Sequence, residues 1–142
     1  MKISVVYLAR SESSSVEDFV PFANSYKKYS AGLEHELVII RKGETRQPDS
    51  IRALDELFQG MNYTCIDRPD NGYDIHAYLD AASQLDHEFI CFLNTFSEIQ
   101  SDDWLAKLLA PHLTMKDCGI TGATGSFESL YDSTLVNSKV IW

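Results

Sequence analysis

The chain has 142 residues, the size of one domain, and 44% of them are hydrophobic, an ordinary share for a globular core. Its formal net charge of −9 argues against a nucleic-acid partner, because such a partner requires a basic face. No apolar run approaches the roughly 20 residues of a membrane span. The first ten residues are typical of a strand rather than of a signal peptide.

The cysteines are scattered along the chain, and each lies in or beside an apolar, strand-like run: Cys65, Cys91 and Cys118. Their odd number and the lack of a CxxC pair predict buried, reduced thiols and a cytoplasmic protein. The histidines are too dispersed along the chain to predict a zinc site.

Strand-like and helix-like segments alternate in chain order. Strands are predicted at 3–8, 36–40, 63–66, 89–93 and 118–121, and helices at 14–29, 48–59, 74–85 and 104–113. Strands that alternate with helices predict an α/β fold with three α/β/α layers, a mainly parallel sheet and right-handed crossovers. This alternation also fits a flavodoxin-like sheet.

Two apolar patterns predict what is buried. The unbroken run from Phe89 to Leu93 predicts a central strand covered on both faces. In the third helix, the inward side chains are expected to be Ile75, Tyr78, Leu79 and Ala82. Residues 1–126 are predicted to form the domain and 127–142 an uncertain tail, from a truncated chain or packed on a neighbour. A homo-oligomer is left open.

Polar residues follow the predicted strands, where ligands of open parallel sheets bind. Arg10 and Glu12 follow the first strand, and Arg41 and Lys42 end the second, so the sequence predicts that all four lie at the same edge of the sheet. The cations could meet a diphosphate, or they could be ordinary surface charges.

The loop after the third strand and the turn after the fourth are further candidates. Asp70, Asn71, Gly72 and Asp74 could approach a nucleotide, or they could form a simple loop and helix cap. A second set could line a donor site or hydrogen-bond the local backbone: Asn94, Thr95, Ser97 and Glu98.

Four segments together resemble one family. They are ISVVYLARSES, ELVIIRKGE, RPDNGYDIHAYLDAA, and FICFLNTFSEIQSDDWLAKLL with the following CGITGATGS. They resemble the N-terminal, nucleotide-binding half of GT-A-fold glycosyltransferases of the family 2 type, and NGYDIHAY is similar to rhamnan-synthesis-type proteins. The resemblance covers most of residues 1–126 and implies the sheet order 3-2-1-4.

The resemblance also implies a function. A member of this family binds a nucleotide-sugar donor and moves the sugar to a glycan acceptor, here in glycan or cell-surface polysaccharide synthesis, as a hexosyltransferase. The implied donor-site positions are Leu8, Ala9, Arg10, Glu12, Arg41, Lys42, Asn71, Gly72, Asp74, Asn94, Thr95 and Phe96.

The chain departs from the family at its metal motif. The family's Asp-x-Asp, which holds Mn²⁺ or Mg²⁺ against the diphosphate, falls on Asn94-Thr95-Phe96. Asn94 offers a neutral oxygen, Phe96 offers no ligand, and Glu98 is the nearest substitute carboxylate. The acceptor half and its catalytic base have no visible counterpart. The rival hypothesis is therefore a degenerate, non-catalytic binding module with the same fold.

Overall fold

A computed structural model describes residues 1–10, 15–43 and 48–123. The strands in these residues are β1 (Ile3–Arg10), β2 (Glu36–Lys42), β3 (Tyr63–Arg68) and β4 (Phe89–Leu93). The helices are α1 (Val20–Lys28), which follows a 3₁₀ turn at Val16–Phe19, α2 (Pro48–Leu57), α3 (Asp74–Gln84) and α4 (Trp104–Thr114).

The described strands form one sheet in the order β3-β2-β1-β4. All neighbouring strands are parallel, and Val6 in β1 pairs with Val38 on one side and Phe92 on the other. The β-branched, apolar runs of β1 and β2 suit the two middle positions, where both faces are covered. The predicted α/β alternation, parallel sheet and 3-2-1-4 order are confirmed for these four strands.

Helices pack on both faces of the sheet. On one face, the ring of Tyr7 stacks on Phe22 at 3.8 Å between centroids and meets Phe19 edge-on, all three fully or almost fully buried. On the other face, Ala77 and Ala81 of α3 join a buried cluster with Val6, Leu8, Val38 and Ile40. Both clusters rest on β1, which makes this strand the centre of the core.

The structure corrects three predictions about burial and strands. Within the described residues β4 is an edge strand, and Phe92 is 42% exposed. The sequence could not predict this, because an apolar run does not reveal which elements cover it. On α3, Ile75 and Leu79 are exposed, since the small Ala77 and Ala81 let the helix lie close to the sheet. Residues 118–121 form no strand.

The three cysteines are free thiols in different surroundings. Cys65 is exposed, which corrects its predicted burial, while Cys91 and Cys118 are partly buried. Burial raises the pKa of Cys91 to about 11. Burial of part of the side chain also raises the pKa of Cys65, and the nearby Arg41 partly opposes this rise.

We expect alkylation to distinguish these thiols. With iodoacetamide near neutral pH, Cys65 should react at least about tenfold faster than Cys91. The rate depends on the exposure of the sulfur to the reagent and on the fraction of thiolate, and Cys65 is the more exposed thiol. Raising the pH toward 11 should accelerate the reaction at Cys91, whose thiol keeps its proton until then. Peptide mass spectrometry of timed samples measures both rates. Equal rates near neutral pH would contradict the burial of Cys91.

The chain divides into two compact units, Met1–Lys107 and Leu108–Trp142. In the described part of the second unit, the ring nitrogens of His112 lie 3.0 Å from the Cys118 carbonyl and 3.2 Å from the Thr121 hydroxyl. The predicted boundary after residue 126 and the tail at 127–142 lie outside the described residues and stay predictions. In the part of the chain that is described, no helix is long and apolar enough to cross a membrane.

Candidate functional site

The carboxyl edge of the sheet carries a network of charged residues. β1 ends at Arg10 and β2 at Lys42, and the two residues are register partners. Since side chains alternate along a strand, both point to the face that α3 covers, as Leu8 and Ile40 do. The sheet itself therefore brings these two cations together.

Asp70, in the loop after β3, joins the two cations. One of its carboxylate oxygens lies 3.2 Å from Nε of Arg10 and 3.4 Å from Nζ of Lys42. The Asp70 side chain is 6% exposed, whereas that of Arg10 is 38% exposed. A buried carboxylate thus holds a guanidinium that solvent can reach. We call these three residues the Arg10–Asp70–Lys42 network.

Lys42 ties the network to the start of α3. Its side chain is 1% exposed, and its ammonium donates to the Gly72 carbonyl at 2.9 Å and to Asp74 at 3.3 Å. Gly72 has φ +68, and a Cβ there would lie 3.0 Å from Nδ1 of His76. A glycine is therefore needed where the loop presents its carbonyl to Lys42. The carboxylates of Asp70 and Asp74 therefore offset charge of the two cations.

Arg41 lies near the carboxyl end of β2, at the edge where the sequence placed it, but it does not join this network. It is one residue from Lys42, so its side chain takes the other face of the sheet. There its guanidinium donates to both oxygens of Asp67, at 2.6 and 2.9 Å, and lies 3.6 Å from Asp55. The hydrogen bond that Arg41 donates to Asp67 is the largest cause of the raised pKa of Arg41. Because side chains alternate along a strand, the sequence could have predicted that Arg41 and Lys42 lie on opposite faces of the sheet.

Two buried hydrogen bonds hold the end of β4 against β1. The Tyr7 hydroxyl donates to the Thr95 carbonyl at 2.7 Å, and the Thr95 hydroxyl donates to the Leu8 carbonyl at 2.9 Å. Tyr78 of α3 adds a third bond, from its hydroxyl to the Leu93 carbonyl at 3.1 Å. Burial raises the pKa of Tyr78 to about 12, so this donor keeps its proton near neutral pH.

The turn after β4 uses its polar groups locally. The side-chain oxygen of Asn94 accepts from the Phe96 amide and from the Ser97 hydroxyl, both at 3.1 Å. Phe96 is 71% exposed. Glu98 is also exposed. Asn94 thus fits the alternative in which its side chain hydrogen-bonds the local turn. Across the described ranges, no group of three or more His, Cys, Asp or Glu side chains could hold a metal ion.

The remaining predicted positions are dispersed. Leu8 and Ala9 are fully buried in β1, so their side chains belong to the core. Asn71 lies in the exposed loop beside Gly72. Glu12 lies outside the described residues. The sequence analysis placed Asp70 in a candidate loop but did not predict that its carboxylate lies between two cations. The sequence signal for that role was a single aspartate in the loop after a strand.

Comparisons with protein-family models, with curated proteins and with solved structures each found no match to this chain. Its class therefore follows from its own geometry. It is an α/β protein with a four-stranded parallel sheet among the described residues and a charged, partly exposed carboxyl edge.

Proposed function

We propose that the chain is a glycosyltransferase-like domain that binds a nucleotide-sugar donor at the carboxyl edge of β1 and β4. One observation carries the proposal. In the order β3-β2-β1-β4, β2 and β3 are added on one side of β1 and β4 on the other, so the strand order reverses between β1 and β4. Open α/β sheets bind ligands beyond the carboxyl ends of the strands at such a switch point. Arg10 ends β1 beside this switch point, and its side chain is 38% exposed.

Arg10 supplies the chemistry that a diphosphate requires. A guanidinium presents several N–H groups in a plane and can contact two phosphate oxygens at once. Asp70 accepts from Nε at 3.2 Å and from an Nη at 3.5 Å, and these bonds restrict the orientation of the guanidinium before a ligand arrives. This restriction lowers the entropy lost on binding. Lys42 is buried, so it supports Asp70 rather than contacting the donor.

Exposed aromatic rings lie in the segments that follow the carboxyl ends of two strands. Tyr73 precedes α3 and is 79% exposed, and Phe96 follows β4. Either ring offers a face on which a nucleotide base can stack, an interaction worth about 1–3 kcal/mol per base. The proposed donor site thus combines one oriented cation with aromatic surface.

Donor binding is proposed to need no divalent ion. Asn94 already accepts two local hydrogen bonds, and Phe96 cannot coordinate Mn²⁺ or Mg²⁺. Glu98 remains as a single exposed carboxylate. Binding then depends on Arg10 and weakens with salt, as expected for an exposed charge. In a complete enzyme, the bound sugar would pass to a glycan acceptor.

The second candidate function is a non-catalytic binding module with the same fold. The carboxylates of Asp70 and Asp74 beside Arg10 and Lys42 favour it, because they offset positive charge that would attract a diphosphate. The two candidates differ in whether a nucleotide binds at this edge at all.

Calorimetric titration with uridine diphosphate and guanosine diphosphate, each with and without manganese, tests the proposal. We expect binding of one of them without manganese, weakened about tenfold or more by Arg10→Ala, equivalent to about 1.4 kcal/mol. Arg41→Ala is the matched control, because Arg41 is also strand-terminal and paired with an aspartate but lies on the other face. It should bind as the parent does.

Three outcomes would reject parts of this proposal. If Arg10→Ala bound the nucleotide as tightly as the parent chain does, the donor site would not include the Arg10–Asp70–Lys42 network. A manganese-dependent gain of about a hundredfold, or about 2.7 kcal/mol, would reject metal-independent binding and implicate Glu98. Failure of both nucleotides to bind would favour the non-catalytic module. Circular dichroism of each variant checks that the fold is intact.

A further inference from the structure

A cavity of about 420 Å³ lies where α1 ends, at the amino edge of the sheet, the edge where its strands begin. The Tyr26 hydroxyl, near the end of α1, lies 2.5 Å from Nε2 of His35, which directly precedes β2. Aromatic and cationic residues dominate the described part of the cavity wall: Tyr26, Lys27, Lys28, Tyr29, His35 and Trp104. All of them belong to the first compact unit. We call this space the α1-end cavity.

The α1-end cavity is distant from the proposed donor site. From Glu36 at its start to Lys42 at its carboxyl end, β2 spans seven residues at about 3.3 Å each, which makes roughly 20 Å. A ligand in this cavity would therefore occupy the opposite end of the sheet, and its binding does not rest on the proposed function.

The described part of the cavity wall contains two lysines and no aspartate or glutamate. This departs from the chain as a whole, which has 21 acidic residues against 12 lysines and arginines. Lys27 donates to the Leu57 carbonyl at 3.0 Å, and the ammonium of Lys28 lies 4.6 Å from the centroid of the Tyr29 ring. Because an ammonium has three N–H groups, both lysines keep donors for an anion.

Hydrogen bonds orient the aromatic part of the wall. Nδ1 of His35 lies 2.8 Å from the Leu33 carbonyl, which can only accept, so in the neutral imidazole Nδ1 donates and Nε2 accepts from the Tyr26 hydroxyl. The Trp104 ring lies beside both residues, with its centroid 6.4 Å from that of Tyr26 and 6.3 Å from that of His35. These rings offer a preformed surface for a planar or apolar group.

Trp104 adds a hydrogen-bond donor that lacks a partner. The residue is 8% exposed, and among the described residues its buried indole N–H has no acceptor. An N–H group that is shielded from water without an acceptor is unfavourable, and such groups in folded proteins mark strain, a bound water or ion, or a functional role. A ligand that brings an acceptor to this wall would relieve the cost.

We propose that the α1-end cavity binds a small organic anion. Its phosphate or carboxylate group contacts Lys27 and Lys28, and its planar body lies on the aromatic wall. The space suits such a ligand, since pockets for small molecules measure about 300–1,000 Å³. Phosphate and carboxylate oxygens are the acceptors with which ammonium groups form their strong hydrogen bonds. The same ligand supplies an acceptor for the Trp104 N–H, directly or through a water that it holds there.

Titrations of the 142-residue chain with four matched probes, followed by NMR, test the site. Phenyl phosphate and benzoate each combine an aromatic ring with an anionic group, inorganic phosphate lacks the ring, and benzyl alcohol lacks the charge. We expect one or both of the first two to bind with a Kd of about 1 mM or tighter, and the last two to bind at least about tenfold more weakly. The backbone amide signals of residues 26–31 and the indole N–H signal of Trp104 should shift. Trp142→Phe identifies that indole signal, since the chain has two tryptophans.

Substitution of the lysines tests the source of the affinity. The double variant Lys27→Ala with Lys28→Ala should weaken binding of the ring-bearing anions about tenfold or more. Both lysines are exposed, so the fold should be unaffected. The matched control is Lys2→Ala, which should bind as the parent does, because Lys2 lies at the same edge of the sheet and is 67% exposed but is not in this wall. Asp102→Asn should bind at least as tightly as the parent, because it removes a negative charge near the cavity and keeps an acceptor for the Ser30 amide, which lies 2.8 Å from the Asp102 carboxylate.

Several results would overturn the proposal. It fails if neither ring-bearing anion binds, if the double lysine variant binds them as tightly as the parent, or if Asp102→Asn binds them more weakly. It also fails if benzyl alcohol or inorganic phosphate binds as tightly as both ring-bearing anions. NMR shifts confined to the carboxyl edge, around Arg10 and residues 70–74, would place the anion in the donor site instead. Affinity that depends on the lysines and on the ring, with shifts at Trp104, would support the proposal, and the tighter of phenyl phosphate and benzoate identifies the anionic group.

Discussion

Replacing Lys42 by methionine is expected to destabilise the protein by about 3–5 kcal/mol, because it removes one partner of a buried ion pair. The Lys42 side chain is 1% exposed, and Asp70, its partner at 3.4 Å, is 6% exposed. Without the ammonium, the Gly72 carbonyl loses the hydrogen bond from Lys42, and the buried Asp70 carboxylate loses one of its cationic neighbours. Urea denaturation monitored by circular dichroism measures the loss.

Arg41→Met is the control for this prediction. Arg41 also ends β2 and pairs with an aspartate, but Asp67 is 43% exposed, so solvent screens the pair. An exposed pair contributes at most about 1 kcal/mol. The double variant Lys42→Met with Asp70→Asn should recover part of the loss, because it leaves no buried carboxylate beside the methionine. Equal losses for Lys42→Met and Arg41→Met would contradict the burial of the network.

The sequence predicted most of the secondary structure because its signals there are local. Runs of apolar residues marked the four observed strands, and α2, α3 and α4 begin at the predicted residues. Only α1 differs, because a 3₁₀ turn precedes it and the helix begins at Val20 rather than at residue 14. The alternation of strands and helices then implied parallel neighbours. The order 3-2-1-4 came from the resemblance to a family, since alternation alone also allowed a flavodoxin-like order. The same order was found.

The sequence could not determine which apolar side of α3 faces the sheet. The helix has two candidate sides, one with Ala77 and Ala81 and one with Ile75 and Leu79. Hydrophobicity favours the larger residues, but close approach of helix and sheet favours the alanines. Likewise, the run in β4 showed that its residues are apolar but could not show whether a further strand covers its edge. Both errors concern which parts of α3 and β4 are covered.

The candidate site could be predicted in position but not in its internal pairing. Placing Arg10 and Lys42 at one edge required only the parallel sheet. The role of Asp70 depends on how the loop after β3 folds back over that edge, which no local pattern encodes. The separate pairing of Arg41 could have been predicted, since side chains alternate along β2 and Arg41 therefore lies on the face opposite Lys42. These pairings determine which cation solvent can reach.

Phe22→Ala is expected to destabilise the protein by about 3–5 kcal/mol, because it opens a cavity in a fully packed core. Phe22 is fully buried and stacks on Tyr7 at 3.8 Å, and it also lies against Phe58 with ring centroids 6.1 Å apart. Tyr7 in turn donates to the Thr95 carbonyl, which fixes the end of β4 beside the candidate site. Loss of the stack should therefore also loosen that edge of the sheet.

Phe96→Ala is the matched control, since it removes the same side chain from a position that is 71% exposed. Its effect on the free energy of unfolding should stay within about 0.5 kcal/mol. Denaturant titration compares the two variants, and hydrogen exchange of the Thr95 amide region reports whether the end of β4 loosens in Phe22→Ala alone. If Phe22→Ala were no more destabilised than Phe96→Ala, the core around Tyr7 would not be packed as described. If the fold weakened while exchange near Thr95 stayed unchanged, the Tyr7 hydrogen bond would not link the core to the candidate site.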